Sequence, residues 1–171
     1  MNILITGKPG IGKTTLIKEL IQKLGEKAGG FYTEEVRKKG VRTGFNIRTL
    51  DGKTGILSSV DIKSPHRVGK YEVNLSDFEK ITLKAIKDAL INSKIVIIDE
   101  IGPMELFSKE FKEIVLNALD SPSHVIATIK SKSSKFIDKI KSRRDIILYN
   151  LNEIDINTVI NNILLDVKGT E

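Results

Sequence analysis

The sequence predicts an α/β fold: a mainly parallel sheet with helices on both faces and an antiparallel β extension in the middle segment. Three observations carry that prediction. Short apolar runs at 3–5, 95–98, 125–129 and 146–149 alternate with stretches of helical periodicity, the order in which strand–helix–strand units build a parallel sheet. The run Ile95-Val96-Ile97-Ile98 is apolar at every position, as a strand covered on both faces must be. Between residues 30 and 73 the pattern changes to closely spaced extended pieces parted by turn residues, which favours local antiparallel pairing.

The first strand, 3–5, runs into a glycine-rich loop and then a helix whose apolar face is Leu16, Ile17, Leu20, Ile21 and Leu24. Gly25 and the pair Gly29-Gly30 are expected to end this pattern. Residues 31–36 alternate as a strand, Lys38-Lys39-Gly40 has the composition of a turn, and 44–50 reads as the returning strand of a hairpin. Asp51-Gly52 marks another turn, and two extended pieces at 56–60 and 68–73 follow, separated by a loop at Ser64-Pro65. Ser76 with Glu79 forms a capping-box signature for a helix with apolar positions Phe78, Ile81, Ala85, Ile86, Ala89 and Leu90. After the strand at 95–98, Phe107, Phe111, Ile114, Val115, Ala118 and Leu119 define the next helix. A strand at 125–129, a short helix at 133–141, a strand at 146–149 and a final helix lined by Val159, Ile160, Ile163 and Leu164 complete the order. Residues 168–171 are expected to fray.

A chain of 171 residues is expected to form one domain, 1–171, with the β-rich insertion at about 30–73. No apolar run approaches the roughly 20 residues of a membrane span, and no charged-then-apolar signal segment opens the chain. The absence of cysteine removes disulfide frameworks and thiolate metal sites. Together these features point to a cytoplasmic setting, with no membrane partner. The net charge of +6 admits a nucleic-acid partner. The basic concentration at 130–144, however, lacks interleaved aromatics, since Phe136 reads as a core position beside Ile137 and Ile140. The favoured reading is a lysine-rich surface that attracts a polyanionic small molecule, with nucleic acid as the less favoured alternative. His66 and His124 have no partners at metal-ligand spacing and read as surface residues. A monomer or weak oligomer is expected.

Residues 7–14, GKPGIGKT, form Gly-x-x-x-x-Gly-Lys-Thr between the first strand and the first helix, which is a complete phosphate-binding loop. Its glycines let the backbone fold into a cup with N–H groups turned inward, and the helix that follows points its positive dipole end at the anion. Lys13 can reach the β- and γ-phosphates, and the Thr14 hydroxyl can ligate Mg²⁺. The candidate nucleotide contacts are therefore Gly7, Lys8, Pro9, Gly10, Ile11, Gly12, Lys13, Thr14 and Thr15. In such sheets ligands sit off the carboxyl ends of the strands, so the residues just after each apolar run carry the information. The run 95–98 ends in Asp99-Glu100. Asp99 is the natural partner for Mg²⁺, direct or through water, and Glu100 is placed to orient or deprotonate a water attacking the γ-phosphorus. Asp99, Glu100, Ile101 and Gly102 also fit the Asp-x-x-Gly segment of GTPases, but no Asn-Lys-x-Asp guanine reader accompanies it, so base discrimination is expected to be loose. Thr128 either bonds the attacking water or simply favours its strand. Arg143 or Arg144 either reaches the leaving phosphate or is solvated. Lys8 faces the γ-phosphate or solvent.

The segments TGKPGIGKTTL, GFYTEEVRKKGVRTGF from Gly30, VGKY-V from Val68, VIIDEIGPMELFS and IKSRRDIILYN resemble the THEP1-type nucleoside-triphosphatases and span most of the chain to about Asn150. The resemblance implies a RecA-like P-loop NTPase sandwich of three layers. It also implies Mg²⁺-dependent hydrolysis of ATP, GTP, CTP and UTP to the diphosphate, with weak base preference and slow turnover. Carried over by residue, the nucleotide loop is 7–14, the acidic pair is Asp99 and Glu100, and 95–102 borders the nucleotide. This chain departs from the family pattern at Asn152-Glu153, where many members have Asn-Arg, and at Pro103, where others often have lysine. The rivals to hydrolysis are transfer of the phosphoryl group to a hydroxyl acceptor and an ATP-switched nucleic-acid binder.

Overall fold

The structure, a computed structural model, describes residues 1–170. In chain order its elements are β1 (Asn2–Thr6), α1 (Lys13–Leu24), β2 (Ala28–Lys38), β3 (Val41–Thr49), β4 (Thr54–Ser59), β5 (Arg67–Val68), β6 (Tyr71–Val73), α2 (Leu75–Asn92), β7 (Ile95–Ile101), α3 (Lys109–Asp120), β8 (His124–Ile129), α4 (Lys135–Lys141), β9 (Ile146–Asn150) and α5 (Ile156–Lys168). The strands form one sheet in the order β5-β6-β4-β3-β2-β7-β8-β1-β9. From β2 to β9 all pairings are parallel; from β2 to β5 all are antiparallel. The expected division into a parallel body and an antiparallel extension is thus present, and β2 belongs to both.

Period-two alternation sorts the body's side chains between two covered faces. Ile3, Ile5, Ile95, Ile97 and Ile126 pack with α1 and α5 through Leu16, Leu20, Val159 and Ile163. Leu4, Val96, Ile98, Val125 and Ala127 pack with α2, α3 and α4 through Phe78, Ile86, Phe111, Val115 and Ile137. The second cluster continues beneath the extension to Ile47, Leu57 and Val73. At its centre Phe31, Phe78 and Phe111 meet edge to face, with centroids 5.1–6.2 Å apart, the arrangement favoured by aromatic quadrupoles.

Several boundaries differ from the sequence expectation. Gly29 and Gly30 do not end a helix; they lie within β2, paired with Val96 and Ile97. The piece at 68–73 is two short strands joined by a turn at Gly69-Lys70. Asn74, not Ser76, caps α2, accepting from the Asp77 amide at 3.2 Å; Asn and Ser cap equally well, so residue type could not choose. Ser108 caps α3 by accepting from Phe111 N at 3.0 Å. That cap leaves Phe107 outside the helix, in the 3₁₀ turn Glu105–Phe107, with its ring 4.8 Å from that of His66. His124 is not a simple surface residue. Its Nδ1 is buried without a hydrogen-bond partner among the described residues, and it lines a cavity of about 280 Å³ with Lys94, Pro122 and Val167 at the amino end of β7 and β8.

Candidate active site

The chain leaves the sheet at Thr6 and re-enters regular structure at α1, so the loop between them sits at the carboxyl end of β1. Gly12 caps α1 with φ 113° and ψ 21°, a conformation open to glycine, and a Cβ there would come within 2.8 Å of Ile156 Cδ1 on α5. Lys13 is buried to 8% exposure and curls back over the loop, its Nζ donating to Gly7 O at 2.7 Å and to Lys8 O at 3.2 Å. The ammonium is thereby held inside the cup. Burial pulls its pKa below the ordinary lysine value, Glu100 and Asp99 pull it back up, and Lys130 opposes them. The loop is braced from the far side by Asn152, whose Oδ1 accepts from Lys8 N at 3.3 Å.

Asp99 is 2% exposed near the end of β7. Its Oδ2 accepts from Thr14 Oγ1 at 2.9 Å and from Thr33 N at 3.5 Å, and its Oδ1 accepts from Thr128 Oγ1 at 2.5 Å. Strand order explains the convergence. β8 lies between β1 and β7, which brings Thr128 beside Asp99, while the β2–β7 ladder stops at Phe31 and Ile98 and frees the Thr33 amide to turn to the carboxylate. The next peptide bond, Asp99-Glu100, is cis, and the ladder to β8 shifts register between Ile98 and Ile101. Glu100 Oε1 lies 3.4 Å from Lys130 Nζ, a cation at the end of β8.

Thr14 and Asp99 present a hydroxyl and a carboxylate oxygen to one another, a hard-oxygen set of the kind Mg²⁺ takes alongside phosphate oxygens. No cluster of three or more His, Cys, Asp or Glu suited to a metal occurs among the described residues. Burial raises Asp99 to about 6; Thr128, Thr14 and Thr33 oppose the rise, and Glu100 adds to it. A carboxyl that holds its proton to higher pH in the native than in the unfolded chain stabilises the fold most below about pH 4 and loses that contribution as pH rises toward 6. From the ordinary value of 3.8 to about 6 the loss amounts to about 3 kcal/mol. Urea melts of the metal-free protein at pH 4, 5, 6 and 7 should therefore show Asp99→Asn gaining on the wild type by that order across the range. A pH-independent difference would count against the burial of this charge.

The structure brings together most of the residues singled out from sequence. Gly7, Gly10, Gly12, Lys13 and Thr14 form the cup, with Lys8 and Pro9 exposed on its rim and Ile11 half-buried. Thr15 is exposed on the first turn of α1. Gly102 follows β7, and a Cβ there would meet Glu100 Oε1 at 2.9 Å. Thr128 faces Asp99. Arg143 does not reach the site: it donates to Asp120 and Asp145, both at 2.7 Å, and precedes β9 at the amino end of the sheet, opposite the loop. Arg144 is exposed at that same end. The sequence reading gave no site role to Thr33, Lys130 or Glu105; strand order places the first two, and the 3₁₀ turn after β7 places the third.

A glycine loop at the carboxyl end of one strand and an acidic pair at the end of another, with a third strand between them in a mainly parallel sheet, define an α/β P-loop NTPase of RecA-like arrangement. Comparison with known proteins narrows the class. Residues 2–164 match the family model described as NTPase. The chain is 52% identical over 168 residues to the nucleoside-triphosphatase THEP1 of Thermotoga sp. (strain RQ2), covering 98% of this chain and 96% of that one. It matches the crystal structure of THEP1 from Aquifex aeolicus with a TM-score of 0.84 at 38% identity, covering 93% of this chain and 96% of that one. The solution structure of a human cancer-related nucleoside triphosphatase matches with a TM-score of 0.83 at 35% identity, covering 99% and 98%. The chain belongs to the THEP1-type nucleoside-triphosphatase family and is an enzyme that hydrolyses nucleoside triphosphates. Among the described residues no helix is long and apolar enough to cross a membrane.

Proposed function

We propose that the protein hydrolyses ATP, GTP, CTP and UTP to the diphosphate and phosphate with weak base selectivity, in a reaction that requires Mg²⁺. The observation that carries this reading is the Thr14–Asp99 hydrogen bond of 2.9 Å, which ties the phosphate loop to the acidic strand and leaves Glu100 as the next residue. The loop amides and Lys13 hold the β- and γ-phosphates. Thr14 and Asp99 would hold the metal, which when bound would neutralise charge on the phosphates. Glu100 takes a proton from a water whose oxygen bonds to the γ-phosphorus as the bond to the β–γ bridging oxygen breaks. Catalysis is mostly positioning and charge stabilisation. The proposal includes a cytoplasmic setting and a monomer or weak oligomer.

Phosphate release from each of the four ribonucleotides, with Mg²⁺ and with chelator, tests the reading without any added acceptor. Activity with all four that disappears with chelator is the expected result. Diphosphate formation that requires an added hydroxyl compound and yields no free phosphate would assign the protein to phosphotransfer instead. In the same assay Lys13→Ala should raise the KM and lower the kcat, each by about tenfold or more, because the ammonium binds the phosphates in the ground state and binds the charge that develops in the transition state more strongly. Wild-type affinity in that variant would displace the phosphates from the loop.

A further inference from the structure

Glu105 opens the 3₁₀ turn after β7 and is 3% exposed, and the mechanism above gives it no task. Its Oε2 and the Oε1 of Glu100 approach the same point over Gly102, lying 3.2 and 2.9 Å from where a Cβ on that glycine would stand, so the two oxygens are within about 6 Å of one another. The absence of a side chain at 102 is what leaves room for both carboxyls. The charged groups facing Glu105 are Glu100 and Asp99 on β7 and Lys130 directly after β8. Burial, then Glu100, then Asp99 raise its pKa well above the ordinary carboxyl value, with Lys130 and its own backbone amide opposing. A buried acid beside two others works against folding, and an apolar residue of like size would be cheaper at this position. Such a cost at the rim of a site marks a group kept for chemistry rather than for packing.

We propose that Glu105 is a positioning residue for Glu100: its carboxyl, which shares with that of Glu100 the space over Gly102, fixes the rotamer from which Glu100 reaches the attacking water. The inference rests on the reading of Glu100 as the acceptor of the water's proton. Glu100 has a cation on one side, and without a neighbour on the other it would be free to swing fully onto Lys130. The buried Glu105 carboxyl occupies the space over Gly102 beside Glu100 and so limits the rotamers open to it. The geometry asks for a group of this length with a polar head.

The test compares steady-state kinetics and nucleotide binding for the full chain carrying E105A, E105Q, E100Q and the double change E100Q/E105A, with melting curves for each. E105A should lower kcat by about 10- to 100-fold, the usual scale for a misplaced reacting group, while KM and triphosphate affinity stay within about twofold. E105Q, which keeps length and a polar head, should recover kcat to within about threefold of wild type. The double variant should be no slower than E100Q alone, because a residue acting through Glu100 has nothing left to position. If E105A loses its fold, Glu105→Met, similar in volume but without the polar head, carries the same comparison. Wild-type kcat in E105A, equal damage in E105A and E105Q, or a further loss in the double variant would each overturn the proposal. Full turnover in E100Q would instead remove the reading of Glu100 itself, and a slow E100Q beside a normal E105A would remove only the role of Glu105.

Discussion

Glu100→Gln should bind nucleoside triphosphate as tightly as the wild type and turn it over about 10²–10⁴ times more slowly, the usual worth of a positioned general base. The substitution is isosteric, so the space over Gly102 and the approach of Lys130 survive it; what is lost is the negative charge that accepts the water's proton. The groups proposed to hold the phosphates, Lys13 and the loop amides, belong to a different element, and Lys13 keeps its bonds to Gly7 O and Lys8 O. Loss should therefore fall on kcat, with binding preserved. Single-turnover phosphate release alongside equilibrium binding of a labelled triphosphate measures both quantities on one sample. Turnover within a few-fold of wild type would remove Glu100 from the chemistry and return attention to Asp99 and the loop.

The largest structural effect is expected at Gly30. This residue sits in β2 with φ 114°, and a Cβ on it would stand 2.1 Å from the Ile97 carbonyl oxygen, 3.0 Å from Ile97 N and 3.0 Å from Ile97 C. All three atoms are backbone of the neighbouring strand, so nothing there can rotate away. Gly30→Ala must either force β2 off β7 or distort both strands two residues before Asp99. The penalty combines a disfavoured backbone conformation with overpacking and should reach about 3–5 kcal/mol. For a chain of this size that is a fall of about 10–15 °C in melting temperature. Gly52→Ala is the control: its φ of 94° is similarly restrictive, but no atom lies within 4 Å of the added Cβ. The Gly52 variant should lose only the backbone part. Equal losses at the two positions would show that crowding against β7 contributes nothing.

What could be read from sequence was what is encoded locally. The phosphate loop carries its own spacing, the strands of the body carry theirs, and an acidic pair directly after four apolar residues announces the carboxyl end of a buried strand. Asp99 and Glu100 needed no partner to be recognised. Their neighbours did. Thr33 serves Asp99 through a backbone amide, which no side-chain pattern marks. Lys130 is one of many lysines until the order β7-β8-β1 places it opposite Glu100. Glu105 follows Pro103 and Met104 and reads as an ordinary surface acid; only the 3₁₀ turn folds it under. Arg143 was open to a sharper reading, because a residue that links a helix to the next parallel strand lies at the amino end of the sheet, away from the ligand. The cap at Asn74 was ambiguous for a different reason: Asn74, Ser76 and Asp77 crowd that helix start, and any of the three residue types can cap.

The cluster around Phe31, Phe78 and Phe111 has a consequence for how the molecule comes apart. One ring hangs from the strand shared by both halves of the sheet, and the other two from helices that cover them. Heat or denaturant that loosens the hairpins at 41–73 must therefore pull on the same aromatic knot that backs the acidic strand. The outer strands share one apolar cluster with those rings through Ile47, Leu57 and Val73, so damage to this distant apron should be felt at the acidic strand.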